Sequence, residues 1–335
     1  MNPPLERPMS EMPSSPTQPC VTFVILNWNQ GDMTLDCLDS LSALDYRPYE
    51  VIVVDNGSSD DSVEKIRRAY PACTVIENGH NVGYSEGNNV GIRAALQGES
   101  EFIFLLNNDT YVHPQMLRRL VQAAQQDPQA GILGPTMFYA DPPNMLWGGV
   151  NWVDWRRTRV VRERMGETVK IESLEGLPPR EVMYIDSCAI LVRSQVFRQI
   201  GLMDNRFFIN YDDIDLCLRA QKAGYKVVYV PAAVMWHRVS AAMGIGSPAN
   251  TYYMTRNALL FFGRHSPGAT KALGVVRILW NTLRTTAAWA LKAEYRSDLY
   301  RRKRQANLLA VRDYFLRRYG MMGADVRRVC YAERA

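Results

Sequence analysis

Three apolar runs in the first third of the chain each end in a polar cluster. Val21-Thr22-Phe23-Val24-Ile25-Leu26 runs into Asn27-Trp28-Asn29, and Val51-Ile52-Val53-Val54 into Asp55-Asn56-Gly57-Ser58-Ser59-Asp60. Phe102-Ile103-Phe104-Leu105-Leu106 runs into Asn107-Asn108-Asp109-Thr110. Continuous β-branched and aromatic stretches of this length are strands buried on both faces. Between them Met33, Leu35, Leu38 and Leu41 recur at helical spacing over 32–44, and a helix follows Asp60. A short strand near Thr74-Val75-Ile76 and a helix over about 86–97 complete the alternation. Strands alternating with helices make an α/β fold with a doubly wound, mostly parallel sheet, in which ligands bind beyond the carboxyl ends of the strands. The polar clusters at 27–29, 55–60 and 107–110 all stand at those ends.

From about 135 to 180 the periodicity weakens and Gly, Pro, Trp and Arg predominate, which predicts irregular structure or a short hairpin covering the site. Order returns with Met183–Val192 and a helix near 194–200. The acidic run Asn210-Tyr211-Asp212-Asp213-Ile214-Asp215 then leads into a helix ending at Gly224, and a strand over Lys226–Val230 breaks at Pro231. After about residue 250 the pattern is helical.

The polar clusters admit two readings each. Asp55-Asn56-Gly57-Ser58 can make an Asx-turn and helix cap, or present a carboxylate to the imide N–H of uracil or thymine. Asn107-Asn108-Asp109 can be a strand-end turn or the cap of a helix beginning near Pro114. It can equally be a site where Asp109 offers a hard oxygen to a divalent cation and Asn107 a weaker one. Three carboxylates within Asp212–Asp215 suit a first helical turn, whose dipole they complement, or a general base taking the proton of an attacking hydroxyl. His237, following the strand that ends at Pro231, is a core histidine or a metal ligand; His80, His113 and His265 follow no strand into the site as clearly. The Gly/Asn loop from Asn78 to Gly91 lacks the spacing of a dinucleotide fingerprint and is followed by no P-loop lysine. It either lets backbone approach a nucleotide or makes a tight turn.

Taken in order, these segments closely resemble the family 2 glycosyltransferases of the GT-A fold, in particular the rhamnosyltransferase-like members. The matching text is Val24-Ile25-Leu26-Asn27-Trp28-Asn29, Val53-Val54-Asp55-Asn56-Gly57-Ser58, Asn81 through Asn89, Leu105 through Thr110, and Asp204 through Gly224, ending near His237. The resemblance covers roughly residues 20–265. It implies an inverting transfer of a sugar, rhamnose from dTDP-rhamnose first and galactofuranose or another sugar from a UDP donor second. The polar residues Asn27, Asn29, Asp55, Asn56, Gly83, Asn89 and Asn108 would meet the donor nucleotide. Asp109 and His237 would hold Mg²⁺ or Mn²⁺. The family's D-x-D element reads Asn-Asn-Asp here, so Asn107 is the weak member of the metal set. Asp213 would be the catalytic base, with Asp212 its alternative. The acceptor would be a glycan, or one carried on a polyprenyl diphosphate, in cell-surface polysaccharide synthesis.

Composition adds boundaries. The 335 residues, 47% hydrophobic and 22% charged, suit one large α/β domain with an accessory part. Six cysteines without a C-x-x-C pair suggest neither zinc ribbon nor disulfide framework, and so a reducing cytosol. Residues 1–19, rich in Pro and Ser, read as a disordered leader, residues 20–250 as the catalytic domain and 251–335 as a basic helical region. That last region holds 17 Lys and Arg against 5 Asp and Glu, although the whole chain is only +5. Leu273, Val276, Leu279, Trp280, Leu283, Ala287 and Leu291 recur near helical spacing, with Arg277 and Arg284 on one polar face. This is the pattern of a helix on an anionic membrane surface, at the cytoplasmic face of the inner membrane, or of a helix packed on the domain. No nucleic-acid-binding module accompanies the basic tail. A nucleotidylyltransferase is disfavoured by the lack of an early Gly-rich, basic phosphate loop.

Overall fold

A computed structural model describes residues 18–239, 246–268 and 270–331. All but the last two residues of the expected leader lie outside them. The first half alternates strictly: β1 Val21–Asn27, α1 Gly31–Ser42, β2 Tyr49–Asp55, α2 Ser62–Ala69, β3 Thr74–Glu77, α3 Tyr84–Ala95 and β4 Phe102–Asn107. Then come β5 Thr110–Val112, α4 Met116–Gln126, β6 Ala130–Tyr139, β7 Leu146–Gly148, β8 Asn151–Asp154 and β9 Arg159–Arg162. The second half contains β10 Arg180–Glu181, β11 Ala189–Arg193, α5 Ser194–Ile200, α6 Asp212–Lys222 and β12 Lys226–His237. Four helices follow: α7 Pro248–His265, α8 Thr270–Leu291, α9 Asp298–Phe315 and α10 Ala324–Cys330.

The main sheet runs in the order β10-β12-β6-β11-β4-β1-β2-β3. β3, β2, β1 and β4 are parallel, and β11 is antiparallel to both β4 and β6. Val24, Ile25, Val53, Val54 and Phe102–Leu106 are buried, as continuous apolar strands require. Register then aligns their polar ends. Asn27 pairs with Asp55, and Leu26 with Asn107, so the three clusters share one edge. Because β11 runs the other way, Ala189 stands opposite Leu106 and the preceding residues Asp186–Cys188 join the same edge. This is the α/β, GT-A arrangement the resemblance implies.

Two glycines of the Gly/Asn loop have a packing purpose. A Cβ on Gly87 would fall 2.5 Å from Leu26, and one on Gly91 2.3 Å from Val24, so both let α3 lie against β1.

The expectation for 135–180 holds for the β8–β9 hairpin but misses the length of β6, which runs through Gly134 and Pro135 to Tyr139. These residues read as breakers, yet β11 pairs β6 only as far as Leu133, so Pro135 has a ladder partner on the β12 side alone and a missing N–H is tolerated there. The expected break at Pro231 is likewise corrected. β12 carries on to His237, taking up the proline in a bulge between Val230 and Val234. The helix expected near Pro114 begins at Met116, so Asn107–Asp109 is not its cap. After residue 246 the chain is helical, and it is built into the core. Leu259, Leu260, Phe261 and Phe262 of α7 are buried in the cluster that includes the sheet strands. Among the described residues no helix is long and apolar enough to cross a membrane.

Candidate active site

At the polar edge of the sheet a cavity of about 710 Å³ opens. Trp28, Asn56, Gly83, Tyr84, Asn107, Asn108, Asp109 and His237 line it from the strand side. β4 ends at Asn107, the chain turns through Asn108 and Asp109, and β5 starts at Thr110. β5 pairs with β12 so that Thr110 faces His237. That pairing brings together two residues 128 positions apart: His237 Nε2 lies 3.0 Å from Asp109 Oδ1, and both are buried.

The fit of a divalent cation follows from the donors present. The Asp109 carboxylate and His237 Nε2 supply a hard oxygen and an imidazole nitrogen that face one another. The 3.0 Å between Asp109 and His237 matches neighbouring donors about 2.1 Å from one octahedral ion. No group of three His, Cys, Asp or Glu gathers among the described residues. An ion here would therefore take its remaining donors from water and a diphosphate, which is how Mg²⁺ is ordinarily held. Asn107 Oδ1 already accepts from Tyr84 Oη at 2.9 Å, so a cation would compete with that hydrogen bond for it.

The nucleotide-side residues divide into cavity walls and buttresses. Asn56, Gly83 and Asn108 line the cavity. Asn108 Nδ2 donates to Thr34 Oγ1 at 3.0 Å, and Asn56 Oδ1 accepts from Val82 N at 3.1 Å. Asp55 does not line it. Its carboxylate accepts from Asn27 Nδ2 (2.8 Å), Ser58 Oγ (2.5 Å), Ser58 N (2.8 Å) and Gly57 N (3.1 Å). Four donors fill a carboxylate, so a pyrimidine N–H would have to displace one. Asn27 is buried behind Asp55 and accepts from Thr34 Oγ1 at 2.8 Å. Asn29, at φ +53°, holds Ser59 N at 2.7 Å. Asn89 bonds both ways with the Met203 backbone and pins that loop to α3.

The three acids of 212–215 separate into different roles at the start of α6. Asp215 is wholly buried and bonded to His265 Nε2 (2.7 Å) and Arg219 Nε (2.7 Å). Burial pushes its carboxyl up, but these partners hold it below the usual range. Asp212 is buried and accepts from Ser85 Oγ at 3.1 Å. Asp213 is half-buried, and its Oδ2 faces Ser187 N at 3.4 Å. Desolvation, followed by the charges of Asp212 and Asp186, raises the Asp213 carboxyl above the ordinary range; desolvation also raises Asp212. Neither lines the cavity directly. Ser187 connects Asp213 to it, since the Ser187 carbonyl accepts from Tyr84 Oη, which also faces Asn107.

Sequence reasoning missed the group between these acids and His237. Arg162 forms a bidentate pair with Asp186, its Nη2 at 2.5 Å from Oδ1, and Asn151 Nδ2 donates to the same carboxylate at 2.8 Å. Trp147 lies over Arg162 at 4.7 Å and edge-on to His237 at 4.9 Å. Arg162, Asn151 and Trp147 come from the stretch without periodicity, where no local pattern marks them, and Asp186 from the ordered segment after it.

A model of the family described as Glycosyltransferase like family 2 matches residues 18–245. The chain is 28% identical over 302 residues to the N-acetylglucosaminyl-diphospho-decaprenol L-rhamnosyltransferase of Mycobacterium tuberculosis, covering 84% of this chain and 95% of that protein. It is 26% identical over 284 residues to the dTDP-rhamnosyl transferase RfbF of Shigella flexneri, covering 81% and 90%. Among solved structures, a mannosyltransferase from Pyrobaculum calidifontis in complex with GDP-Man and Mn²⁺ superposes with a TM-score of 0.55. The identity is 15%, over 90% of this chain and 88% of that one. A Staphylococcus aureus TarS fragment, residues 1–349, in complex with UDP-GlcNAc gives 0.55 at 16% identity, over 88% and 80%. With the strand-end site in the expected order and the family matched over most of its length, the chain belongs to the family 2 glycosyltransferases.

Proposed function

We propose that this glycosyltransferase moves L-rhamnose from dTDP-rhamnose, with inversion, to a hydroxyl of a polyprenyl-diphosphate-linked glycan during cell-surface polysaccharide synthesis. The observation that carries the reading is the convergence of Asn56, Asn107–Asp109 and His237 on one cavity. It is supported by similarity over most of both chains to two rhamnosyltransferases. Trp28, 42% exposed on the cavity, offers a face on which a pyrimidine can stack, and the turn tied by Asp55 fixes the loop that presents Asn56.

Asp109 and His237 would hold Mg²⁺ or Mn²⁺ beside the donor diphosphate. When bound, such an ion offsets the charge that builds on the departing nucleoside diphosphate. Asp213 takes the proton of the acceptor hydroxyl while that oxygen bonds to the anomeric carbon and the carbon–oxygen bond to the diphosphate breaks. No covalent enzyme intermediate is needed. Its raised proton affinity suits a base, and Ser187 N–H and the start of α6 steady the carboxylate.

The acceptor's lipid places the enzyme at a membrane, and α8 supplies a face for it. Leu273 (67% exposed), Val276, Trp280 (63%), Leu283 and Leu291 (81%) project from one stripe, while Gly274 and Ile278 pack inward. At about 100° per residue the exposed set spans roughly 80°, with Arg277 and Arg284 along one margin. An apolar stripe edged by arginines fits the cytoplasmic leaflet with its anionic lipids.

The test is a donor panel of dTDP-rhamnose, UDP-galactofuranose and UDP-N-acetylglucosamine, run with and without Mn²⁺ or Mg²⁺. Turnover of dTDP-rhamnose alone supports the reading. Preference for a UDP-sugar redirects it to that donor, and activity indifferent to chelation removes the ion from it.

A further inference from the structure

The cavity has a second wall, made of chain that the family model, ending at residue 245, does not reach. Asn250 and Tyr253 of α7, Met321 and Met322 of the loop after α9, Arg327 of α10 and Tyr331 line it opposite the strand ends. The wall is firmly placed. Met322, Val326 and Cys330 are buried with Ala249, Tyr252 and Tyr253 in one apolar cluster. Met322 N donates to Tyr253 Oη at 3.1 Å, and Asp325 pairs with Arg312 at 2.6 Å. Phe208 stacks on Tyr253 with centroids 5.0 Å apart, tying this wall to the loop before α6.

Arg327 is the one Lys or Arg among the described residues lining the cavity. Its Nη2 meets Met321 Sδ at 3.1 Å, a weak acceptor, and among the described residues no carboxylate lies within ion-pair distance of it. Arg301, Arg302 and Arg312 of the same tail do have carboxylate partners, while Arg328, like Arg327, has none among the described residues; what sets Arg327 apart is its place on the cavity. An exposed guanidinium on an anchored helix, lining the cavity and without an ion-pair partner among the described residues, matches the planar, bidentate demand of a phosphate group.

We infer that Arg327 is a diphosphate-binding residue, the C-terminal helix closing the cavity with a cation opposite Asp109 and His237. This rests on the glycosyltransferase reading of the site. Diphosphate occurs in both substrates proposed above, the nucleotide donor and the lipid-linked acceptor, and binding assays separate them.

Calorimetry with dTDP and dTMP in Mg²⁺ reads the donor. If Arg327 meets the donor, Arg327→Ala weakens dTDP roughly tenfold and leaves dTMP unchanged, with Arg327→Lys in between. If it meets the acceptor, dTDP binding is untouched. The KM for a polyprenyl-diphosphate-linked acceptor then rises about tenfold, and the KM for a glycoside acceptor without phosphate does not. Arg328→Ala, on the exposed neighbour outside the cavity, is the control for charge, and Arg327→Gln replaces Arg327→Ala if the latter folds poorly. Unchanged dTDP affinity together with unchanged acceptor KM overturns the assignment. A wild-type protein that binds neither dTDP nor UDP overturns the reading of the site itself, and the assignment with it.

Discussion

His237 Nε2 and Asp109 Oδ1 stand 3.0 Å apart at the carboxyl edge of the sheet, joined by the pairing of β5 with the far end of β12. On the proposed ion site, Asp109→Asn and His237→Ala should each lower transfer by about ten- to a hundredfold. In thermal shift, Mn²⁺ should raise the midpoint of the wild type and of neither variant. An equal Mn²⁺ response in all three proteins would remove these residues from the ion site.

The raised Asp213 carboxyl predicts the pH profile. With Asp213 as the proposed base the ionised form is the active one, so log kcat/KM should climb with pH through a single-proton limb above the ordinary carboxylate range. Because Asp212 shares the site, the limb belongs to the pair. Asp213→Asn should abolish transfer, whereas Asp212→Asn should keep some activity with the limb moved to lower pH. Full activity in Asp213→Asn would pass the role of base to Asp212.

The same shift has a stability sign. In the unfolded chain Asp213 loses its proton near pH ~3.9, while the folded protein holds it to higher pH. Across that window the folded state binds more protons, so stability falls as pH rises. Asp213→Asn removes the penalty, and its melting midpoint should exceed that of the wild type above about pH 5 and converge with it in acid. A lower midpoint at neutral pH would argue against a desolvated carboxylate.

Gly83 adopts φ +92°, and a Cβ there would fall 2.4 Å from the Phe208 ring. Gly83→Ala should cost about 1–3 kcal/mol from the left-handed backbone and the displaced ring together, measured by urea unfolding. Since Phe208 stacks on Tyr253, nucleotide affinity should drop as well.

The apolar stripe of α8 separates membrane binding from folding. Trp280→Glu with Leu283→Glu should abolish flotation with vesicles containing phosphatidylglycerol. Because both positions are exposed, the melting midpoint should hardly move. Transfer to a soluble acceptor should persist while transfer to a vesicle-borne one falls.

The strands that carry the site were legible because their signal is local. An apolar run capped by Asn27, Asp55 or Asn107 declares both the strand and its functional end. Elements whose identity depends on neighbours were not. Gly134 and Pro135 look like breakers until β12 is seen paired along them, and Pro231 until the bulge absorbs it. Site chemistry followed the same division. Asp109 and His237 were singled out by position and the fold joined them, yet the filled state of Asp55 depends on Asn27 and the Ser58 turn together. Arg162 comes from a stretch with no telling period, while Asp186 and Arg327 sit in patterned segments that do not single them out, and only packing reveals them.

One buried side chain bears on how such an enzyme can be recombined. Arg256, fully enclosed, donates to the main-chain carbonyls of Arg206, Phe207 and Gly320 and carries the rings of Tyr252 and Tyr253 against it. It thereby clasps the loop before the acids of α6 to the turn before α10. The carbonyls it grips are supplied by any residue, so the side chains at those positions are free to drift while the clasp persists. A chimera that keeps Arg256 and exchanges the segment after α9 with a relative's should fold, and inherit that relative's taste in ligands.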